Sequence, residues 1–144
     1  MSRSQPMTDQ PVRVLLVDDD AVWSHDLASF LTSELPLQIT AVSSADAALE
    51  AVTQARFDLI LLDVALPSTG QGRDRDGLSL LEELARHPDA LLARKWLVSG
   101  HDASFLSTEL EHAWHDRFLT KAALLADRSA FLEEVRAALC PARP

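Results

Sequence analysis

Six side chains able to do chemistry sit in one kind of local setting, directly after a short apolar run. Val14-Leu15-Leu16-Val17 leads into Asp18, Asp19 and Asp20. Leu59-Ile60-Leu61-Leu62 leads into Asp63, Trp96-Leu97-Val98 into Ser99, and Phe118-Leu119, by way of Thr120, into Lys121. Three adjacent carboxylates repel, and each resists ionising beside the others. A bound cation relieves that repulsion, and clustered carboxylate oxygens with room for water suit Mg²⁺. The whole set suits phosphoryl transfer to a carboxylate. One carboxylate attacks phosphorus, the ion and an ammonium neutralise charge on the transferred group, and a hydroxyl binds one of its oxygens. Taken singly, each residue has a plainer use. Asp20 can simply cap a helix, a serine after a strand makes a turn, and a lone lysine is solvated. Their common position at the ends of apolar runs sets them apart. Asp63 stands out most, because no polar spacer separates it from its run.

The elements that must position these groups alternate along the chain. Val12–Val17 reads as a strand buried on both faces. Trp23, Leu27, Phe30, Leu31 and Leu35 follow at helical spacing until Pro36 stops them. Leu37–Val42 is a weaker strand, and Ser43 or Ser44 caps a helix with Ala48, Leu49 and Val52 on its inner face. Leu59–Leu62 is the third strand. Leu78, Leu81, Leu84 and Ala85 mark the third helix, Trp96–Val98 the fourth strand, and Phe105, Leu106, Leu110, Ala113 and Trp114 the fourth helix. Phe118-Leu119 is the fifth strand, and Phe131, Leu132, Val135 and Leu139 are the stripe of the last helix. Five strand–helix units in strict alternation predict a doubly wound α/β fold, a parallel sheet with helices on both faces. Ligands in such sheets sit beyond the carboxyl ends of the strands, where the six side chains fall.

Bulk composition narrows the function classes. The chain has 144 residues, 47% of them hydrophobic, which suits one domain with a real core. A formal net charge of −9 disfavours direct contact with nucleic acid or an anionic membrane. Cys140 is the single cysteine, so no internal disulfide is possible. No apolar run approaches the roughly 20 residues of a membrane span. Residues 1–11 read as a disordered lead-in, 12–140 as the domain and 141–144 as a short tail, with the cytoplasm as the default location.

The motifs VLLVDDD, LILLDVALP, WLVSG and RFLTK, in this order, resemble a receiver domain of the two-component response-regulator family, and the likeness runs from Val12 to about Leu139. It implies a flavodoxin-like five-stranded sheet in the order 2-1-3-4-5. It implies that Asp63 accepts the phosphoryl group, and that Asp18, Asp19, Asp63 and the backbone carbonyl of Ala65 hold Mg²⁺, with Mn²⁺ able to substitute. Lys121 would pair with Asp63 and then bind the phosphoryl group. Ser99 would bind a phosphoryl oxygen, and Phe118 would fill the aromatic position whose rotamer couples to it. The donor would be a phosphohistidine on a sensor histidine kinase or a histidine phosphotransfer protein. The product would be a switched docking surface on a stand-alone receiver rather than a turnover enzyme. Ala65, small enough to admit water, and His101, two residues past Ser99, would tune loss of the phosphoryl group.

The chain departs from the family in three ways. Lys121 is followed by Ala122, where the family usually has a cis proline; Lys-Ala is trans, so the loop holding Lys121 is expected to differ. Pro67 and Asp76-Gly77 are separated by an eight-residue segment, Ser68 to Arg75. That segment is a tolerated insertion, since each doubling of loop length costs only about 0.6 kcal/mol, or a lid bringing Arg73 or Arg75 to the site. No output domain is expected to follow. Two rival readings remain open at this point. One is a receiver-like interaction module that takes no phosphate. The other is a phosphatase of the haloacid dehalogenase type, since Asp18-Asp19-Asp20-Ala21-Val22 fits its D-x-D-x-[TV] motif with Asp18 as nucleophile. His112 and His115 share a helix end without a further ligand, and His25 and His87 read as surface. Phe105 and Trp114 are either core or anchors for a partner or a second copy on the face of the fourth helix, fifth strand and fifth helix.

Overall fold

Val14, Leu15, Leu16 and Val17 are all buried, and a run with no polar residue on either face is a stable strand only if both faces are covered. The computed structural model describes residues 12–63, 80, 82–84, 86–87, 93–99 and 117–139. Its elements are β1 (Val12–Val17), α1 (Ala21–Glu34), β2 (Leu37–Val42), α2 (Ala45–Gln54), β3 (Leu59–Asp63), β4 (Arg94–Ser99), β5 (Arg117–Thr120), α3 (Lys121–Ala126) and α4 (Arg128–Leu139). Residues 80, 82–84 and 86 are also helical. All neighbouring strands are parallel, in the order β2-β1-β3-β4-β5. This is the sheet that the alternation of elements and the family resemblance imply.

The period of two along each strand sorts the apolar side chains into two layers. Leu15, Val17, Ile60, Leu62 and Leu97 face Ala48 and Val52 of α2, together with Leu80 and Leu84. Val14, Leu16, Leu59, Leu61, Trp96 and Leu119 face Leu27 and Leu31 of α1, Leu124 of α3, and Phe131, Leu132 and Val135 of α4. Trp96 meets Phe131 edge-on, with ring centroids 6.1 Å apart. Each such large side chain removed from water contributes about 1.5–3 kcal/mol.

Each described helix start carries a short oxygen-bearing side chain that accepts from the backbone three residues on. Asp20 accepts from the Trp23 N–H at 3.0 Å, Ser44 from Ala47 at 3.1 Å, Thr120 from Ala123 at 3.0 Å and Asp127 from Ala130 at 3.1 Å. Asp20 is thus the cap that its position suggests, and Ser44 rather than Ser43 caps α2. Pro36 lies two residues past the last helical residue of α1, Glu34.

Strands β3, β4 and β5 run a residue or more beyond the expected bounds, and two differences from the sequence expectation stand out. β4 begins at Arg94, not Trp96. Lys95 lies inside it, wholly buried, and its ammonium donates to the carbonyl of Ala93 at 2.9 Å. The second difference is α3, a six-residue helix that starts at Lys121 itself. A proline at 122 would push Lys121 out of the helical region. Ala122 imposes no such limit, so Lys121 takes the first helical position behind the Thr120 cap. The lead-in 1–11, the insertion Ser68–Arg75, the segment Phe105–Trp114 with His112 and His115, Cys140 and the tail 141–144 lie outside the described residues. Among the described residues no helix is long and apolar enough to cross a membrane.

Candidate metal and phosphoryl site

Strand register brings the acids together. Val17 of β1 pairs with Leu62 of β3, so the next residues, Asp18 and Asp63, stand at the same level on neighbouring strands. Asp63 in turn pairs with Val98 of β4, and Ser99 pairs with Thr120 of β5. The chain runs from β1 to β2 on one side and to β3 on the other, so the carboxyl ends of β1 and β3 flank the point where strand order reverses. The amide of Asp18 donates to the carbonyl of Val42 at 3.1 Å and extends the β1–β2 ladder by one rung.

Asp18 and Asp63 are buried, whereas Asp19 is exposed. Each of the three offers a carboxylate oxygen, and these oxygens all lie within 4.8 Å of one another. One oxygen of Asp18 (Oδ1) accepts from the Asp20 N–H at 2.9 Å, and the other (Oδ2) faces the Lys121 ammonium at 2.9 Å. The sequence expectation named Asp63 as the partner of Lys121; Asp18 is a partner it did not name. Three carboxylates and one ammonium leave a formal charge of 1 − 3 = −2 in the cleft. An all-oxygen donor set with that residual charge fits a hard divalent cation, and Lys121 stands as a monovalent cation at one of its oxygens.

Lys121 also lies 4.9 Å from the centroid of the Trp23 ring, within cation–π range. Sequence reasoning placed Trp23 in the buried stripe of the first helix and missed this contact. The available signal was an aromatic residue in the first turn after the acid cluster. Ser99 closes β4, and Phe118 is partly buried against the layer containing Leu97. Ala65 and His101 lie outside the described residues.

Comparison with known proteins agrees with this geometry. Residues 14–133 match the family model described as "Response regulator receiver domain", so the chain belongs to that family. Receiver domains act in phosphorelays, taking phosphoryl groups from histidine kinases. The chain is 32% identical over 136 residues to a protein-glutamate methylesterase/protein-glutamine glutaminase of Anaeromyxobacter dehalogenans. That match covers 92% of the chain and 34% of the other protein, so the chain spans about a third of that relative's length. Among solved structures, a CheY-like receiver domain from Methylobacillus flagellatus superposes with a TM-score of 0.69 at 25% identity, covering 88% of this chain and 99% of that one. The receiver domain of the sensor histidine kinase PA1611 from Pseudomonas aeruginosa, with magnesium coordinated in its active-site cleft, gives 0.70 at 23% identity, covering 87% and 97%. Family membership removes the phosphatase reading. The geometry disfavours it too, since Asp20 spends its carboxylate on the cap of α1 instead of serving as an acid/base beside Asp18.

Proposed function

We propose that this receiver domain takes a phosphoryl group onto Asp63 from a phosphohistidine on a sensor histidine kinase or a histidine phosphotransfer protein. An Asp63 oxygen attacks phosphorus as the bond to the histidine nitrogen breaks. The observation that carries this reading is the cluster of Asp18, Asp19 and Asp63 with Lys121 at its edge. Mg²⁺, or Mn²⁺ in its place, would be held by Asp18, Asp19, Asp63 and the backbone carbonyl of Ala65, and supplies positive charge to the group in transfer. Lys121 leaves Asp18 to bind a phosphoryl oxygen, Ser99 binds another, and Phe118 follows Ser99. Ala65 and His101 set how readily water removes the phosphoryl group. The domain occupies residues 12–140 between the lead-in 1–11 and the tail 141–144. It works in the cytoplasm by protein docking rather than by turnover of a substrate, without direct contact to nucleic acid or membrane. The face made by β5 and α4 serves a downstream partner or a second copy.

The test is labelling of the chain by a small phosphodonor such as acetyl phosphate, with and without Mg²⁺, followed by mapping of the labelled residue. Mg²⁺-dependent label on Asp63 is expected, and label on Asp18 overturns the assignment. The start of α3 at Lys121 keeps a second reading in play, a receiver-like module that no longer takes phosphate. Absence of Mg²⁺-dependent beryllofluoride binding at the acids favours that second reading.

A further inference from the structure

The Lys121 ammonium meets two groups of different kinds, a charged oxygen of Asp18 at 2.9 Å and the face of the Trp23 ring at 4.9 Å. Both ends of this contact are held in place. The backbone of Trp23 is tied to the Asp20 cap, and its ring packs against the layer containing Leu27 and Leu31. The backbone of Lys121 is tied by the Thr120 cap, which bonds Ala123. The indole Nε1 is buried without a hydrogen-bond partner among the described residues. The ring turns its face to the Lys121 ammonium. That face offers a cation site, and the cation on it is Lys121.

The two partners respond differently to a metal ion. Asp18 is the shared one, because an oxygen given to a divalent cation is withdrawn from the ammonium. Trp23 offers no metal ligand and keeps its hold. We propose that Trp23 is a positioning residue for Lys121. Its indole face retains the ammonium at the rim of the acid cluster when Asp18 turns to the metal, so the lysine is already within reach of an incoming phosphoryl oxygen. This rests on the reading of Asp63 as the phosphoryl acceptor. It adds a function for a ring that, by position in the chain, looks like packing alone. It also supplies a means of orienting the lysine in a chain with Ala122 after it.

Two measurements on the full chain test the proposal separately from that reading. The first is the proton NMR shift of the Lys121 ε-methylene group, with and without Mg²⁺. An upfield ring-current shift is expected in both conditions, and it disappears in Trp23→Leu. A lysine unshifted in Mg²⁺ overturns the proposal, whatever happens at Asp63. The second is the rate of Asp63 labelling by acetyl phosphate in Mg²⁺. Loss of one partly buried cation–π contact is expected to slow Trp23→Leu by roughly three- to tenfold. Trp23→Phe, which keeps an aromatic face, retains most of the rate. In a Lys121→Met background, Trp23→Leu has no further effect. An unchanged rate in Trp23→Leu, or an equal slowing in the Lys121→Met background, overturns the proposal. A wild-type chain that takes no label on Asp63 removes the acceptor reading instead, and the NMR shift then still decides the contact.

Discussion

Lys121→Met removes the ammonium facing Asp18 and keeps a long, flexible side chain. Two unit charges 2.9 Å apart attract by about 6 kcal/mol at an effective dielectric of about 20. Desolvation of both groups offsets most of that, and Lys121 retains only 19% of its side-chain exposure against 2% for Asp18. The net loss is close to that of a hydrogen bond to a charged group, about 2 kcal/mol. For a chain of 144 residues that corresponds to a fall in Tm of roughly 6 °C, at about 3 °C per kcal/mol. Mg²⁺ reverses the order of advantage. In the wild type the ammonium must leave Asp18 before a metal takes that oxygen, and in the variant nothing has to leave. The variant therefore binds Mg²⁺ more tightly, by up to roughly thirtyfold if the whole 2 kcal/mol is recovered. Its Tm accordingly rises more on adding the ion. Scanning calorimetry in EDTA and in Mg²⁺, with titration calorimetry for the affinity, measures both effects. A variant as stable as wild type in EDTA, or one that binds Mg²⁺ no more tightly, refutes the account of Lys121 as a cation resting on a metal ligand.

Four other outcomes are expected. Asp63→Asn abolishes the label from acetyl phosphate while the chain remains folded, as read by mass spectrometry and circular dichroism. Ala122→Pro drives Lys121 out of the helical region and lowers the EDTA Tm through loss of the Asp18 contact, by no more than Lys121→Met does. Leu61→Ala, at a site 1% exposed between β1 and β4, costs about 2–5 kcal/mol in urea unfolding, with the midpoint lowered and the slope unchanged. Ala65→Met slows loss of the phosphoryl group after the donor is removed, and an equal half-life in both proteins counts against a tuning role at that position.

The parts of the fold legible in the sequence are those where burial acts on both faces. Leu59–Leu62 could only be an interior strand, and Asp63 stood out because nothing polar separated it from that run. β4 was read two residues short because Arg94 and Lys95 look like a loop. A lysine whose ammonium reaches a nearby carbonyl can be buried in a strand at the cost of its hydration. α3 escaped because KAALLA is only six residues long and shows no periodicity. Its cap, Thr120, also serves as the last residue of β5. The acid cluster was legible by residue type and strand position. The contact of Lys121 with Asp18 was not, because Asp18 and Asp63 stand level on adjacent strands and residue type does not distinguish them. The strand order came from the family resemblance, since alternation alone leaves several parallel arrangements open.

The capping residues carry a consequence for how this chain tolerates change. Asp20 directly follows the pair Asp18-Asp19, and Thr120 directly precedes Lys121, so cap and functional group are adjacent at both sites. Aspartate, serine and threonine all serve as caps in this one chain, so the identity of a cap is loosely constrained. Its spacing is not. One residue inserted between Asp19 and Asp20, or one deleted at Thr120, must either uncap the helix or rotate the neighbouring side chain away from the cleft. A scan combining substitutions with single-residue insertions and deletions would therefore separate two kinds of constraint at these junctions, with wide freedom of side chain and almost none of length.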